Sequence, residues 1–184
     1  MKFERPQSDH ELEVILRAAY DLALKSQSTE ALALCSWLIE ESTTSVAGHR
    51  QRAAVFEYQG NVSDAISDME FVTSHDPGEP ADFHALGILY FKLGGMAKAE
   101  AAFTASLELS KAVRNTHYKN SCHLFRAAAR LKLTHYQEAL ADAQALPDQY
   151  STHMPGVGMR SKEHIVVEAE RELSRMARRN HRAY

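Results

Sequence analysis

Apolar residues along this chain return at intervals of three and four residues, the spacing that keeps side chains on one face of an α-helix. Phe83, Leu86, Tyr90 and Leu93 show this pattern. No segment alternates apolar and polar residues in the way that a half-buried strand does. Proline and glycine interrupt the helical pattern at short intervals, as at Pro77. The pattern therefore predicts an all-α chain of short helices.

Besides the three-to-four-residue spacing of the helices, the sequence contains a longer repeat. A small residue, an aromatic residue three positions later, a glycine and then an alanine occur twice, 34 residues apart at every position. The first copy has Ala53, Phe56, Gly60 and Ala65, and the second has Gly87, Tyr90, Gly94 and Ala99. A weaker copy precedes them, with Ala19 and Ala31, and a fourth follows at an offset of 40 residues, with Ala127 and Ala139.

The small residues have a physical role in a helix pair. At a helix crossing they let the two axes approach to about 8–10 Å, and a larger side chain would push the axes apart. We place Ala65 and Gly87 at such crossings. Gly60 and Gly94 are expected to take the positive φ that ends the first helix of a pair.

The period and these residue types resemble the tetratricopeptide repeat family. The resemblance implies an all-α, right-handed helical-hairpin solenoid in a single domain over residues 1–184. The expected repeats span about 12–45, 46–79, 80–119 and 120–148. The six extra residues of the fourth copy are assigned to a lengthened helix end or loop around 110–119.

The chain beyond the repeats is expected to form a loop and one more helix. Residues 149–160 contain Pro155, Gly156 and Gly158 and are predicted to be a loop. Ser161 is a suitable N-cap for a capping helix over 161–180. The apolar stripe of this helix, which we expect to cover the last repeat, consists of Ile165, Ala169, Leu173 and Met176.

The resemblance also implies a binding surface, because the first helix of each pair lines the concave groove in this family. The groove residues, most of which are aromatic or basic, are expected to be exposed and to hold a polypeptide. They are Arg17, Tyr20, Arg50, Gln51, Tyr58, His84, Ile88, Phe91, Lys92, Leu124, Phe125 and Lys132.

The function predicted from this groove is protein–protein interaction, as a small adaptor, a chaperone-like protein or a neutralising protein. The partner is another protein or a peptide. Two alternatives stay open: a self-assembling structural scaffold, and an enzyme or regulator with a ligand in the groove. A homo-oligomer is compatible with each of them.

Catalytic and metal-binding chemistry is not indicated by the residues. Cys35 and Cys122 lie far apart and belong to no metal-binding spacing. The two histidines that lie closest in the sequence, His117 and His123, are six residues apart, which does not place two ligands on one helix face. No nucleophile, phosphate-binding or metalloprotease motif occurs. We therefore predict neither an enzyme nor a cofactor nor a metal site.

The charge and hydropathy of the sequence limit the partners that the protein is expected to bind and the compartment in which it is expected to act. The formal net charge of −3 argues against nucleic-acid binding as the main task. The first ten residues contain no apolar core of a signal peptide, and no run of about 18 apolar residues predicts a membrane span. The expectation is a cytoplasmic protein with no membrane partner. The end of the chain, from Arg160 onward, is nevertheless basic.

Overall fold

The computed structural model describes residues 6–181, and within them the chain forms helices and one small β-hairpin. The elements are α1 (Asp9–Leu24), α2 (Ser28–Glu40), α3 (Ser45–Tyr58), α4 (Val62–His75), α5 (Pro80–Leu93), α6 (Met96–Ala112), α7 (Lys119–Lys132), α8 (Tyr136–Gln144), β1 (Ser151–Met154), β2 (Gly158–Ser161) and α9 (Lys162–His181). They divide into two compact units, Met1–Pro77 and Gly78–Tyr184, and each is described by itself.

The first unit consists of two helix pairs, α1–α2 and α3–α4. Ser8 caps α1, since its Oγ accepts a hydrogen bond from the backbone N–H of Glu11 at 3.2 Å. Helix α3 packs against α1, α2 and α4. The core between α1, α2 and α3 consists of small and medium-sized side chains, namely Ala19, Ala23, Ala31, Leu34, Cys35 and Val55.

The second unit consists of the pairs α5–α6 and α7–α8, the hairpin and α9. Pro80 opens α5, where its missing N–H and fixed φ suit the first turn, and Glu79 accepts a hydrogen bond from the backbone of Ala81. Helix α6 packs against α5 and α7, and α7 also contacts α8 and α9. Phe103 on α6 is the largest fully buried side chain of the chain as described.

The turn inside each helix pair has the same backbone conformation. Gly60 and Gly94 have φ of 78° and 82°, in the left-handed region that glycine adopts without strain. The two weaker copies of the repeat place non-glycine residues at the equivalent turn position, Ser26 with φ 62° and Thr134 with φ 65°. The turn geometry is therefore the same in all four pairs, although its glycine is kept in only two.

The connection between α8 and α9 differs from the sequence prediction of a loop over 149–160. Strands β1 and β2 pair antiparallel in the register Ser151↔Ser161 to Met154↔Gly158. Gly156 and Gly158 supply positive φ at the turn, and Met154 is fully buried. Strands of four residues are too short to produce a recognisable alternation, so only the turn residues were visible in the sequence.

Helix α9 caps the last pair over its first half. Ser161 Oγ accepts a hydrogen bond from the backbone N–H of His164 at 3.2 Å, as expected of an N-cap. Ile165 and Ala169 are fully buried, and α9 packs against α8 and α7. Met176, however, is 51% exposed, so the predicted apolar stripe does not cover the last repeat over the second half of the helix. No helix within residues 6–181 is long and apolar enough to cross a membrane.

The close crossing of α5 and α6 at Gly87 leads to a first prediction. A Cβ atom at Gly87 would lie 2.6 Å from Cε1 of Phe103, too close for any real contact. Gly87→Ala is therefore expected to lower the free energy of unfolding by about 1–3 kcal/mol, because the buried ring must move. Thermal unfolding followed by circular dichroism measures the loss.

Gly78 provides a matched control for the Gly87 substitution. Nothing lies within 4 Å of the position of its Cβ atom. Gly78→Ala is therefore expected to leave the melting temperature almost unchanged. Equal melting temperatures for Gly87→Ala and Gly78→Ala would show that α5 and α6 do not cross at Gly87.

Candidate protein-binding surface

The first unit places five of the predicted groove residues on α1 and α3. Arg17 is exposed, Tyr20 is 40% exposed and Tyr58 is 53% exposed. Arg50 and Gln51 are half-buried. The Arg50 guanidinium donates to the carboxylate of Asp76 at 3.2 Å, an ion pair with both side chains largely in solvent. This unit therefore presents accessible aromatic and cationic side chains on its first helices.

The second unit buries three predicted groove residues that we expected to be exposed. Phe91 and Phe125 are each 4% exposed, and Leu124 is completely buried. The rings of Phe91 and Phe125 pack edge to face with centroids 5.3 Å apart, and Phe125 also lies 5.6 Å from the ring of Phe103. These side chains form the core of α5, α6 and α7. The expectation that they are exposed is wrong.

The remaining predicted residues of the second unit differ in accessibility. Lys92 and Lys132, at the ends of α5 and α7, are exposed, and Ile88 is half-buried. His84 is half-buried, with Nε2 hydrogen-bonded to Ser121 Oγ at 2.8 Å and its ring stacked on Tyr118 at 4.6 Å. Burial, together with the charge of His117, lowers the pKa of His84 to about 4. His84 is therefore a neutral, packed side chain near pH 7.

The lowered pKa of His84 predicts that the second unit loses stability in acid. The ordinary pKa of histidine is about 6.5. Between pH 6.5 and 4 the unfolded chain binds the proton at this residue more strongly than the folded chain. Acidification through this range is therefore expected to reduce the free energy of unfolding by about 2–3 kcal/mol through His84.

The test compares His84→Gln with the unchanged chain at several pH values. His84→Gln is expected to flatten the dependence of stability on pH between about 6.5 and about 4. His153→Gln, at an exposed position of β1, is the matched control and should leave the dependence unchanged. If both variants followed the pH profile of the unchanged chain, His84 would not be the group responsible.

A buried polar cluster that was not predicted from the sequence occurs once in each unit. In the first unit, His49 Nδ1 donates to Asp68 Oδ1 at 2.7 Å, and Arg52 donates to both oxygens of the same carboxylate at 2.7 and 2.8 Å. In the second unit, His123 and Arg126 contact Asp142 in the same way at 2.6–2.9 Å.

The two clusters have identical sequence spacing, which could have revealed them. A histidine is followed by an arginine three residues later and by an aspartate sixteen residues after that, both at 49–68 and at 123–142. The equivalent residues of the other two pairs are apolar, so the polar cluster belongs to alternate repeats. They are Ile15, Ala18 and Leu34 in the first pair and Phe83, Leu86 and Ala102 in the third.

The cluster of the second unit extends to α6. Arg126 donates to Thr104 at 3.0 Å, and Arg130 donates to Glu100 and to Asp142, both at 2.7 Å. Burial raises the pKa of Asp142, but the hydrogen bonds from His123 and Arg126 outweigh this effect and lower the pKa below its usual value. The carboxylate is therefore ionised and fully paired, so its role is structural.

An open groove lies between α1 and α2 on the first unit, and we call it the N-terminal groove. Its volume is about 770 Å³. Trp37, the one tryptophan of the chain, lies in it. Its other lining residues are Ala18, Asp21, Leu22, Lys25, Gln27, Glu30, Ala33 and Leu34. Together with Trp37, five of the nine lining side chains are apolar, and two acids, one lysine and one glutamine make up the rest.

The cysteines show no catalytic character. Both are buried, and burial raises the pKa of Cys35 to about 12 and of Cys122 to about 11. Near neutral pH both are thiols, whereas a nucleophilic cysteine must be a thiolate. Over residues 6–181, no three His, Cys, Asp or Glu side chains are grouped so as to hold a metal ion.

Comparison with known proteins supports the fold. Neither a scan against protein-family models nor a search of curated proteins gives a match. Among solved structures, MamA AMB-1 superposes with a TM-score of 0.66 at 12% identity, covering 91% of this chain and 85% of that protein. The TPR-like repeats of a putative kinesin light chain from Podosopora anserina give 0.61 at 16% identity, covering 76% and 75%.

A third solved structure carries the family name itself. A tetratricopeptide repeat protein from Parabacteroides merdae ATCC 43184 superposes with a TM-score of 0.58 at 17% identity. The match covers 77% of this chain but only 53% of that protein, about half its length. The chain thus has the tetratricopeptide-repeat fold. The resemblance and the all-α helical-hairpin class predicted from the sequence are confirmed.

Proposed function

We propose that this chain is a non-catalytic binding module that recognises one polypeptide partner through the exposed side chains of its first helices. The observation that carries the proposal is a recurring exposed position at the end of these helices. Tyr58 occupies it in the first unit, and Lys92 and Lys132 occupy it in the second. Tyrosine is enriched among residues that dominate binding energy, and lysines at the rim attract acidic partners.

The fold and these side chains together support the proposed role. Within each unit, packed helix pairs hold the first helices in fixed positions, so little ordering of that unit is required when a partner binds. A polypeptide with apolar and acidic side chains could pack its apolar groups on the tyrosine and pair its acids with the lysines. We propose that the chain acts in this way in the cytoplasm, as a small adaptor, a chaperone-like protein or a neutralising protein.

Substituting Tyr58 tests this proposal. Once the partner has been captured from native lysate and purified, Tyr58→Ala is expected to weaken its binding by about 2 kcal/mol, roughly thirtyfold, because an aromatic anchor is lost. Isothermal titration calorimetry measures the change. Since Tyr58 is 53% exposed, the melting temperature should stay within about 2 °C of the unchanged chain.

Val113 offers a control at a similarly exposed apolar position. It follows α6, a second helix, and is 53% exposed. Val113→Ala should bind the partner with unchanged affinity. Native affinity in Tyr58→Ala and in the double variant Lys92→Glu, Lys132→Glu would show that the partner uses another surface.

A further inference from the structure

The N-terminal groove occupies a position at which the second and fourth helix pairs each bind a helix of their own unit. Two of its lining residues, Ala18 and Leu34, are equivalent in the repeat to the arginine and the aspartate of the polar clusters. In the first unit, α2 packs on α3 at Gly48, where an added Cβ atom would lie 2.9 Å from Ile39. Arg52 lies one helical turn further along the same face of α3 and donates to Asp68. Within each unit, the second helix of the preceding pair therefore covers this face.

The same arrangement is repeated in the second unit. Arg126 and Arg130, on the equivalent face of α7, reach Thr104 and Glu100 on α6. The N-terminal groove is thus equivalent to the interface by which the two pairs of each unit stack. In the described chain it is lined only by α1, the following turn and α2. Its apolar lining and its repeat equivalence indicate that an α-helix fits it.

The charge of the first helix pair defines the kind of helix that fits. Asp21 and Glu30 lie on opposite sides of the groove, one on α1 and one on α2. Residues 9–40 as a whole are acidic. They carry six acids, Asp9, Glu11, Glu13, Asp21, Glu30 and Glu40, against two basic residues, Arg17 and Lys25. A matching helix has an apolar stripe flanked by basic side chains.

The second half of α9 has this chemistry. Beyond Leu173, the described side chains of the helix are exposed, including those of Met176 and Ala177. The last eleven residues of the helix carry one acid, Glu172, against four arginines. These are Arg171, Arg175, Arg178 and Arg179. Leu173, Met176 and Ala177 follow at helical spacing and form an apolar stripe beside the basic residues.

We propose that the chain associates head to tail: the second half of α9 of one copy docks in the N-terminal groove of a second copy. The apolar stripe at Leu173 and Met176 packs on Leu22 and Trp37, and the arginines face the acidic helix pair. The two contacting surfaces differ, so each bound copy leaves one groove and one helix end available. Association therefore continues head to tail beyond the dimer, into open chains or closed rings of copies.

Sedimentation velocity on the full chain tests the proposal. The average mass is expected to rise with protein concentration between about 1 and about 100 μM. Ala33→Arg places a bulky cation in the groove. Met176→Glu removes the apolar contact between α9 and the groove, and its negative charge is repelled by the acidic first helix pair. Both positions are exposed, so both variants are expected to fold. Each variant alone should be monomeric across the range.

Mixing the two variants gives the decisive measurement. Ala33→Arg keeps a competent α9, and Met176→Glu keeps a competent groove, so an equimolar mixture should form a 1:1 dimer that does not grow. Ala101→Arg makes the same change at an exposed alanine of α6 and should associate like the unchanged chain. Raising the salt concentration should weaken the association, because exposed charges are screened.

Three results would overturn this proposal. They are an unchanged chain that stays monomeric over the whole range, an unchanged association in Ala33→Arg or Met176→Glu, and a mixture of these variants that stays monomeric. The first would leave a helix of a foreign protein as the occupant of the groove. The proposed partner binding through Tyr58 uses a different surface. Tyr58→Ala is therefore expected to associate normally, which separates failure of one proposal from failure of the other.

Discussion

Asp142→Ala is expected to destabilise the second unit by about 3–5 kcal/mol, because it leaves the largely buried guanidinium of Arg126 without its carboxylate. Asp142 is 2% exposed and accepts hydrogen bonds from His123, Arg126 and Arg130. Among residues 6–181, Arg126 then retains only the neutral Thr104 as a hydrogen-bond partner, and the cost of removing its charge from solvent is no longer offset. Denaturation by urea, followed by far-ultraviolet circular dichroism, measures the change.

An exposed aspartate in the same unit provides the control. Asp148 pairs with Lys162 at 2.8 Å, but its side chain is 95% exposed. Asp148→Ala should leave the urea midpoint unchanged, since solvent screens such a pair. Equal midpoints for Asp142→Ala and Asp148→Ala would mean that the buried cluster contributes nothing to stability.

The third helix pair suggests a rescue of Asp142→Ala. At the equivalent positions it has apolar residues, and replacing a complete buried ionic cluster by well-packed apolar side chains is often neutral or stabilising. The combined variant His123→Phe, Arg126→Leu, Asp142→Ala copies the residues Phe83, Leu86 and Ala102. It should be more stable than Asp142→Ala alone, although it removes more of the original side chains.

The features of the fold that depend on backbone geometry were predictable from the sequence. Gly60 and Gly94 take the left-handed turn conformation because glycine has no Cβ atom, and their spacing of 34 residues is the length of one repeated helix pair. The first and fourth pairs were weaker matches because Ser26 and Thr134 adopt the same turn conformation without glycine. Packing of the whole pair outweighs the local preference there, and a motif based on glycine misses such positions.

The candidate surface was less predictable, because one residue changes the face of a helix by about 100°. Phe91 and Lys92 are neighbours on α5, yet Phe91 is buried and Lys92 is exposed. The family resemblance identified α5 as a groove-lining helix, but it did not identify which residues of α5 face solvent. The buried clusters were not predicted for a different reason. Histidine, arginine and aspartate are usually surface residues, so only the repeated spacing of the three could have revealed that they contact one another.

Phe91→Ala is expected to destabilise the second unit by about 3–5 kcal/mol, because it leaves a cavity in the core between α5 and α7. The ring is 4% exposed and packs edge to face on Phe125 with a centroid distance of 5.3 Å. From the sequence, Phe91 was expected to be an exposed groove residue, whose truncation would affect partner binding rather than stability. The measurement is the free energy of unfolding, obtained by far-ultraviolet circular dichroism in urea.

The adjacent residue on α5 provides the control for the Phe91 substitution. Lys92→Ala changes an exposed side chain on the same helix and should alter stability by no more than about 0.5 kcal/mol. Phe91→Leu keeps an apolar side chain in the core and should lose less stability than Phe91→Ala, because the cavity is smaller. If Phe91→Ala unfolded at the same urea concentration as Lys92→Ala but lost the partner, the ring would contact the partner directly. In that case the original groove prediction would hold at this position.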